Sequence, residues 1–264
     1  YLDNNGMLVI HAPLYHPFVQ GQESIAANLD LDINKVRIIC PAMGGNFGTR
    51  GDVLCATISG LLAICTKKPV RLVYNRSESI LSSSKTPSTK IQYKLGASKD
   101  GKLTALEAKV YKNVGTWAPY LAEKTTEGQE LCRFESIAST MAHITGPYFI
   151  PNVKTIVMDV VTNGPRAVPL RGTSGGFLPF AIESIVDRLA SKLKIDPLDF
   201  RIKNTLKIGS VAHTGQIMKE SVGIDSELKN LRHYYDEFRK NKRSIDLNEN
   251  TPWRRGVGLG CGWR

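Results

Sequence analysis

The stretch "GGNFGTRGD", residues 44–52, follows a strand-like run, "KVRIIC" at residues 35–40, and precedes a run of apolar residues at helical spacing. Its glycines allow backbone N–H groups to approach a ligand that a Cβ atom would exclude. In the order strand, glycine-rich loop, helix, the free N–H groups at the helix start point to the same place, which favours an anion. A phosphate, an anionic cofactor or an ordinary tight turn would each account for this stretch.

The helix after this loop is predicted to take Asp52 as its N-cap and to end near "TKKP", residues 66–69. Its apolar residues recur at helical spacing and lie on one face of the predicted helix. The members of the face are Leu54, Ile58, Leu61, Leu62 and Cys65. A shorter helix is predicted before the loop, at residues 19–29.

A second glycine-rich loop, "GPRAVPLRGTSGG" at residues 164–176, repeats this layout about 120 residues later. It follows a long strand predicted within "GPYFIPNVKTIVMDVVTN", residues 146–163, and precedes another amphipathic helix. Arg171 in this loop could present its planar guanidinium to a phosphate or an oxyanion. A surface arginine near a helix start is the alternative interpretation.

The remaining elements complete an α+β fold in which helices pack on mixed β-sheets. Asp100-Gly101 between two alternating runs predicts a β-hairpin, and "PVRLVY" at residues 69–74 predicts a strand followed by a serine-rich polar stretch to near Lys90. Asp196-Pro197 predicts a capped short helix, and residues 229–243 predict a solvated helix or linker. The helix after the second loop has one apolar face made of Ile182, Ile185, Val186, Leu189 and Leu193.

Composition narrows the class of protein. With 264 residues and 42% hydrophobic content, the chain is expected to be globular. The net charge of +11 fits an anionic ligand, an acidic partner or a nucleic acid. Nucleic acid is the poorest of the three, because there is no recognition motif and no basic stripe interleaved with aromatic residues. No apolar run reaches membrane-spanning length and no signal-peptide pattern is present, which predicts a cytoplasmic protein.

Cysteine and histidine patterns argue against a metal site made by this chain. The cysteines lack the paired spacing of a zinc or iron–sulfur site and are predicted to be reduced core thiols: Cys40, Cys55, Cys65, Cys132 and Cys261. His11, His16 and His143 are interpreted as structural residues and not as metal ligands.

Chemistry by side chains alone is not indicated either. The first loop fits neither the phosphate-loop motif nor the dinucleotide-binding glycine motif, and no nucleophile with its base stands out. Any reaction is therefore expected to depend on a bound cofactor.

Taken in order, these motifs resemble the molybdenum-cofactor-binding subunit of the xanthine dehydrogenase and aldehyde oxidase family. There the first loop reads G-G-G-F-G-G-K-E, and the second reads T-N-x-P…F-R-G-F-G-G-P, which matches "TNGPRAVPLRGTSGG" here. Further matching stretches are "LGASKDGKLTAL", "GPYFIPNV", "AIESIVDRLASKLKIDPLDFRIKN" and, near the end, "RGVGLG". The resemblance extends from about residue 8 to residue 210.

The resemblance implies a molybdenum-pterin cofactor, either molybdopterin or its cytosine dinucleotide form. It implies oxidation of a heterocycle or aldehyde with water as the oxygen source, and electron transfer to iron–sulfur and FAD groups on partner chains or domains. The family's cofactor contacts transfer to Gly45, Asn46, Phe47, Gly48, Arg171 and Gly172.

Departures from the family pattern concern the substrate. The family's glutamine near the metal is replaced by Tyr15 or His16. The three residues that face the substrate in purine hydroxylases are replaced by Gly51, with Asp52 one place on, by Thr173 and by Ser139. A purine is therefore disfavoured, and the candidate pocket residues are Tyr15, His16 and Thr173. Gly172 stands where carbon monoxide dehydrogenases have a cysteine, which excludes that branch.

The resemblance also implies that the site is incomplete. The family's general base, a glutamate in a G-x-G-E motif, is expected outside this chain. Residues 1–210 are interpreted as the first half of the cofactor-binding domain, and residues 211–264 as a basic connecting segment and the start of the next strand region, in a fragment or a split subunit. The expected partners are the C-terminal molybdopterin-binding half, an iron–sulfur subunit and an FAD subunit. A reductive, hydroxybenzoyl-CoA reductase-like enzyme and an inactive scaffold or cofactor-insertion protein stay open as alternatives.

Overall fold

The structure, a computed structural model, describes residues 1–115, 137–165, 167, 171–172, 174–245 and 256–262. Helices accompany one parallel strand pair and one three-stranded sheet, which confirms the predicted α+β class. The chain forms two compact units interleaved in sequence. The first comprises Tyr1–Thr89, Lys112–Ser136 and Asp159–Thr173, and the second Lys90–Tyr111, Ile137–Met158 and Ser174–Arg264. The predicted domain boundary near residue 210 stays a prediction.

A pair of parallel strands organises the first unit. Strand β1, Leu8–His11, pairs with β2, Val36–Ile39, so that Leu8 lies opposite Val36. Parallel neighbours need a crossover connection, and here it contains a π-helical turn, Pro17–Glu23, that continues into α1, Ser24–Asn28. The short helix predicted at residues 19–29 is therefore confirmed, with an earlier start.

Helix α2, Leu54–Thr66, follows the first loop and packs on β1 through its small residues. Ala56, Gly60 and Ala63 are its buried positions, and a Cβ atom on Gly60 would lie 3.2 Å from the side chains of both Leu8 and Ile10. Only a small side chain leaves room for so close an approach. The helix thus lies on β1 with its small-residue face.

The predicted helix is present, but the apolar face that the sequence indicates is not its buried face. Leu54, Leu61 and Leu62 are 43%, 49% and 41% exposed, because the close packing on β1 selects the opposite, small-residue face. The helix begins one residue later than predicted, after Val53, but the predicted capping residue makes the capping contact: the Asp52 carboxylate accepts the N–H of Leu54 at 3.0 Å.

The predicted strand at residues 69–74 is wrong as well. Its side chains alternate between half-buried and exposed, as in a strand, but this segment pairs with no strand among the described residues. Helix α3, Arg76–Ser82, follows it inside the stretch interpreted as polar coil. Its start is a capping box, in which Asn75 accepts the N–H of Glu78 at 2.9 Å and Glu78 accepts the N–H of Asn75 at 2.8 Å.

The three-stranded sheet contains the predicted hairpin. Strand β3, Thr89–Ala97, turns at Gly101, whose φ of +88° suits glycine, into β4, Leu103–Gly115. Strand β5, Asn152–Val161, pairs with the other side of β4 and confirms the long strand predicted before the second loop.

Helices cover this sheet in the second unit. A helical segment, α4, spans residues 137–143, and α5 spans Phe177–Leu193. The predicted face of α5 is confirmed by the burial of Ile182 and Val186 against the sheet. Helix α6, Pro197–Asn204, begins as predicted at Asp196, whose carboxylate accepts the N–H groups of Leu198 and Asp199.

The segment predicted as solvated helix or linker is the long helix α7, Ile224–Ile245. One side of it is buried: Leu228 and Tyr235 form a small core with Leu198 and Cys261. Within the described residues, no helix is both long enough and apolar enough to cross a membrane.

A buried ion-pair network joins α5, α6 and the segment 256–262. Arg201, which is 0% exposed, lies 2.7 Å from both Glu183 and Asp187, and it donates to the carbonyl oxygen of Leu259 at 3.0 Å. The Tyr148 hydroxyl donates to Glu183 at 2.5 Å. Burial, and after it the carboxylate of Glu183, raise the pKa of Tyr148, so this phenol stays a neutral donor.

The prediction that the cysteines are core thiols is correct for only one of the four described cysteines. Cys261 is buried, but Cys55 is half-buried and Cys40 and Cys65 are exposed; Cys132 lies outside the described residues. The four described thiols are free. Burial raises the pKa of Cys261, which keeps this thiol protonated.

Replacing Gly60 by leucine tests the packing of α2. Leucine is a better helix former than glycine, yet its side chain has no room beside Leu8 and Ile10. We expect Gly60→Leu to lower the free energy of unfolding by about 1–3 kcal/mol in urea denaturation. Leu61→Ala on the exposed side should change it by less than about 0.5 kcal/mol. Equal stability of Gly60→Leu and wild type would contradict the packing.

Removing Arg201 tests the buried network. Arg201→Ala leaves two carboxylates and the Leu259 carbonyl without the guanidinium that they contact. This should lower the free energy of unfolding by about 3–5 kcal/mol. The control Arg188→Ala removes an exposed arginine of α5 and should leave the thermal midpoint unchanged. Similar midpoints for the two variants would show that the network is not formed.

Candidate functional site

The first loop is shaped by glycines and presents an aromatic side chain to solvent. Gly45 and Gly48 have φ values of +152° and +108°, and the loop closes with a 3-10 turn at Thr49–Gly51. The Phe47 side chain is 61% exposed. A large exposed aromatic ring on a glycine-rich loop is typical of a binding surface.

The second loop lies directly against the first. The backbone N–H of Arg171 donates to the carbonyl oxygen of Phe47 at 2.8 Å, and the Arg171 guanidinium carbon lies 5.7 Å from the centre of the Phe47 ring. Both residues belong to the first unit. The structure therefore brings together the two loops that the sequence singled out.

The other predicted residues are placed as follows. The N–H of Tyr15 donates to the carbonyl oxygen of Arg50 at 3.0 Å, which joins Tyr15 to the first loop, and the Tyr15 and His16 rings are 3.9 Å apart. Gly172 continues from Arg171 with a φ of +75°. Thr173 lies outside the described residues.

Backbone donors of the first loop are left open to a ligand. No hydrogen bond within the described part of the chain uses the N–H groups of Gly45, Asn46 or Phe47. The cationic side chains of Arg50 and Arg171 belong to the same two loops, and Arg50 also donates to the Gly45 carbonyl at 3.4 Å. Open N–H groups beside guanidinium groups fit an anionic group.

Asp52 has a role that the sequence does not show. One carboxylate oxygen accepts the Ser84 N–H at 2.8 Å and the Ser84 hydroxyl at 2.7 Å, and the other accepts the Leu54 N–H at 3.0 Å. Asp52 thus holds the end of the first loop to the segment after α3. Burial, and after it the Asp52 carboxylate, raise the pKa of the neighbouring Cys55.

Two contacts of the site were not predicted from the sequence: the bond of Ser84 to Asp52 and the bond of the Arg50 carbonyl to Tyr15. Ser84 is 32 residues from Asp52 and follows a helix that was not predicted, so no local pattern points to it. Arg50 stands inside the quoted loop, where its carbonyl oxygen and not its side chain fixes Tyr15.

His11 and His143 contact other parts of the fold. The His11 ring stacks with Tyr1 at a centroid distance of 6.0 Å, and Nδ1 of His143 lies 2.6 Å from the carbonyl oxygen of Ser139. Across the described ranges, no three His, Cys, Asp or Glu side chains cluster in a way that could hold a metal ion.

Comparison with known proteins assigns the family. The model of the molybdopterin cofactor-binding domain matches residues 1–205. The large molybdopterin subunit of nicotinate dehydrogenase from Eubacterium barkeri is 34% identical over 232 residues, which are 88% of this chain and 52% of that protein. The chain therefore belongs to the molybdopterin cofactor-binding domain family, and the open N–H groups and arginines fit the anionic pterin cofactor that the family binds.

Two further relatives agree. A probable xanthine dehydrogenase subunit from Bacillus subtilis is 32% identical over 80% of this chain and 27% of its own length. The aldehyde oxidoreductase from Desulfovibrio gigas superposes with a TM-score of 0.80 at 26% identity, over 93% of this chain and 26% of that one. The chain spans about half the length, or less, of these relatives.

Substitution of Asp52 tests the anchor of the first loop. Asp52→Ala leaves the largely buried N–H and hydroxyl of Ser84 without their acceptor, which should cost about 1–3 kcal/mol of unfolding free energy in urea denaturation. Asp52→Asn keeps one oxygen acceptor and should cost less. A stability of Asp52→Ala equal to that of Asp52→Asn would show that the carboxylate does not hold Ser84.

Proposed function

We propose that this chain is the molybdopterin-binding portion of a molybdenum hydroxylase that oxidises a heterocyclic or aldehyde-type substrate with water as the oxygen source. The observation that carries the proposal is the hydrogen bond from the Arg171 N–H to the Phe47 carbonyl oxygen. It joins both family loops into one surface of open N–H groups and guanidinium charge. The relatives described as nicotinate dehydrogenase and aldehyde oxidoreductase support this class of substrate.

Each loop residue has a defined part in holding the cofactor. The N–H groups of Gly45, Asn46 and Phe47 donate to its anionic groups. The Arg171 guanidinium adds positive charge, and its position over the Phe47 ring limits the rotamers that it must give up on binding. Gly48 and Gly172 keep positive φ angles that other residues rarely adopt. When bound, the molybdenum-pterin group supplies the two-electron oxidation and the activation of water.

Tyr15 and His16, with Thr173, form the substrate side of the site in this proposal. The exposed Tyr15 ring lies beside the first loop through its bond to Arg50, and a planar heterocycle would stack on it. Asp52 is occupied by Ser84 and Leu54, so it is not a free carboxylate that could replace the purine hydroxylases' glutamate. This supports a substrate other than a purine.

The complete enzyme needs further polypeptide. In the proposal, the C-terminal molybdopterin-binding half supplies the general base and the remaining pterin contacts, and iron–sulfur and FAD partners carry electrons away. The free thiols of the described cysteines fit a reducing compartment, and we place the assembly in the cytoplasm.

Molybdenum content tests the proposal. The complex of this chain with its C-terminal half is purified from a host that makes the cofactor, and metal is measured by elemental analysis. We expect stoichiometric molybdenum in the wild type and roughly tenfold less in Arg171→Ala, because charge-assisted contacts are lost. Arg171→Lys should lie between them, since lysine keeps the charge without the planar fork.

The control variant is Arg71→Ala, which removes an exposed arginine of the first unit and should retain full molybdenum. A well-folded wild-type complex without molybdenum would favour the scaffold alternative over the enzyme. Turnover only in the reductive direction, with a low-potential donor supplied, would favour the reductive alternative.

A further inference from the structure

Helix α2 is apolar on both sides. None of its 13 residues is charged, although an exposed helix normally carries charges on its solvent side. Its inner face is filled by Ala56, Gly60 and Ala63 against β1. We call the opposite side the outer face of α2, formed by Leu54, Ile58, Leu61, Leu62 and Cys65.

The outer face is contiguous and partly exposed. Its three leucines are between 41% and 49% exposed, and they recur at one helical face with the half-buried Ile58 between them. Single exposed apolar residues are common, but a contiguous apolar face marks an interaction surface. A helix that is hydrophobic all round is typical of an element buried on both sides.

The outer face continues into a groove at the start of α2. A cavity of about 530 Å³ is lined by Leu54 and Thr57 of α2, by Leu81 and Ser82 of α3, and by residues 163–165. Leu81 is 74% exposed. The lining thus combines apolar side chains, Leu54 and Leu81, with polar ones such as Thr57 and Ser82, which suits a peptide segment that inserts an apolar side chain.

The lengths of the relatives show that further polypeptide is available as an occupant. Between about half and three quarters of each relative lies outside the part that this chain matches. A second copy of the chain is a poorer occupant, because each copy carries a net charge of +11 and two copies would repel each other. The segment that suits this surface is uncharged where it contacts the apolar face, and it comes from the rest of the same assembly.

We propose that the outer face of α2, with the adjoining groove, is the docking surface for the C-terminal molybdopterin-binding half. This inference rests on the proposed function, which requires that half. It adds that the helix fixed to the first loop through Asp52 is also the helix that holds the partner. Binding of the partner and positioning of the cofactor loop would then share one element.

Co-purification tests the docking surface. A tagged copy of this chain is co-expressed with the C-terminal half, and the affinity of the two is measured after separation and recombination. Leu61→Lys keeps helix propensity but puts a charge on the outer face, so binding should weaken roughly tenfold or more. Leu61→Met keeps the face apolar and should bind like the wild type. Ile208→Lys, at an exposed aliphatic position of the second unit, should also bind normally.

Each outcome decides the inference. Thermal midpoints of the variants equal to wild type would show that weakened binding comes from the surface and not from unfolding. Normal binding by Leu61→Lys would overturn the proposal, as would equal weakening by Ile208→Lys.

A dimer of the isolated chain that Leu61→Lys converts to monomer would assign the face to a second copy instead. Sedimentation of the wild-type complex with phosphatidylcholine vesicles, abolished in Leu61→Lys, would assign it to lipid. A complex that assembles through Leu61 but holds no molybdenum would contradict the proposed function and still support the docking surface.

Discussion

The close approach of α2 to strand β1 is the constraint on which the first unit depends. Gly60 lets the helix backbone lie against Leu8 and Ile10, and the start of the helix then determines where the first loop ends. Asp52 ties that end to Ser84, and Arg50 ties the loop to Tyr15. The loop is therefore held from both sides although its own residues make few contacts.

The site follows from what the loops leave unpaired. Backbone N–H groups at Gly45, Asn46 and Phe47 have no acceptor among the described residues, and two arginines add charge. In water such donors are satisfied by solvent at little cost, so an anionic group could bind them without breaking protein contacts first. The Phe47 carbonyl accepts the N–H of Arg171, so the same residue has an open donor and an acceptor that holds the second loop.

Much of this arrangement could be predicted from the sequence, and the failures have physical causes. The hairpin at Gly101, the cap at Asp196 and the face of α5 follow local rules of turn chemistry and periodicity, and they were correct. The pairing of Phe47 with Arg171 was expected only through the resemblance, since no local rule connects residues so far apart. The buried face of α2 could not be predicted, because periodicity identifies an apolar face but not which of two apolar faces packs inward. The capping box of α3 has a sequence signal, Asn75 followed by Glu78, although the helix was not predicted. The bond of Asp52 to Ser84 leaves no such signal.

The same buried arginine that joins α5 to α6 also sets an order of events during synthesis. Arg201 leaves the ribosome 58 residues ahead of Leu259, whose carbonyl oxygen its side chain needs as an acceptor. At about 5–20 residues per second, the gap corresponds to roughly 3–12 seconds. Glu183 and Asp187 precede Arg201 in the chain, so the charge partners of the guanidinium are made before this backbone acceptor. The contact with Leu259 can therefore form only after residues 256–262 emerge, later than the two ion pairs can form.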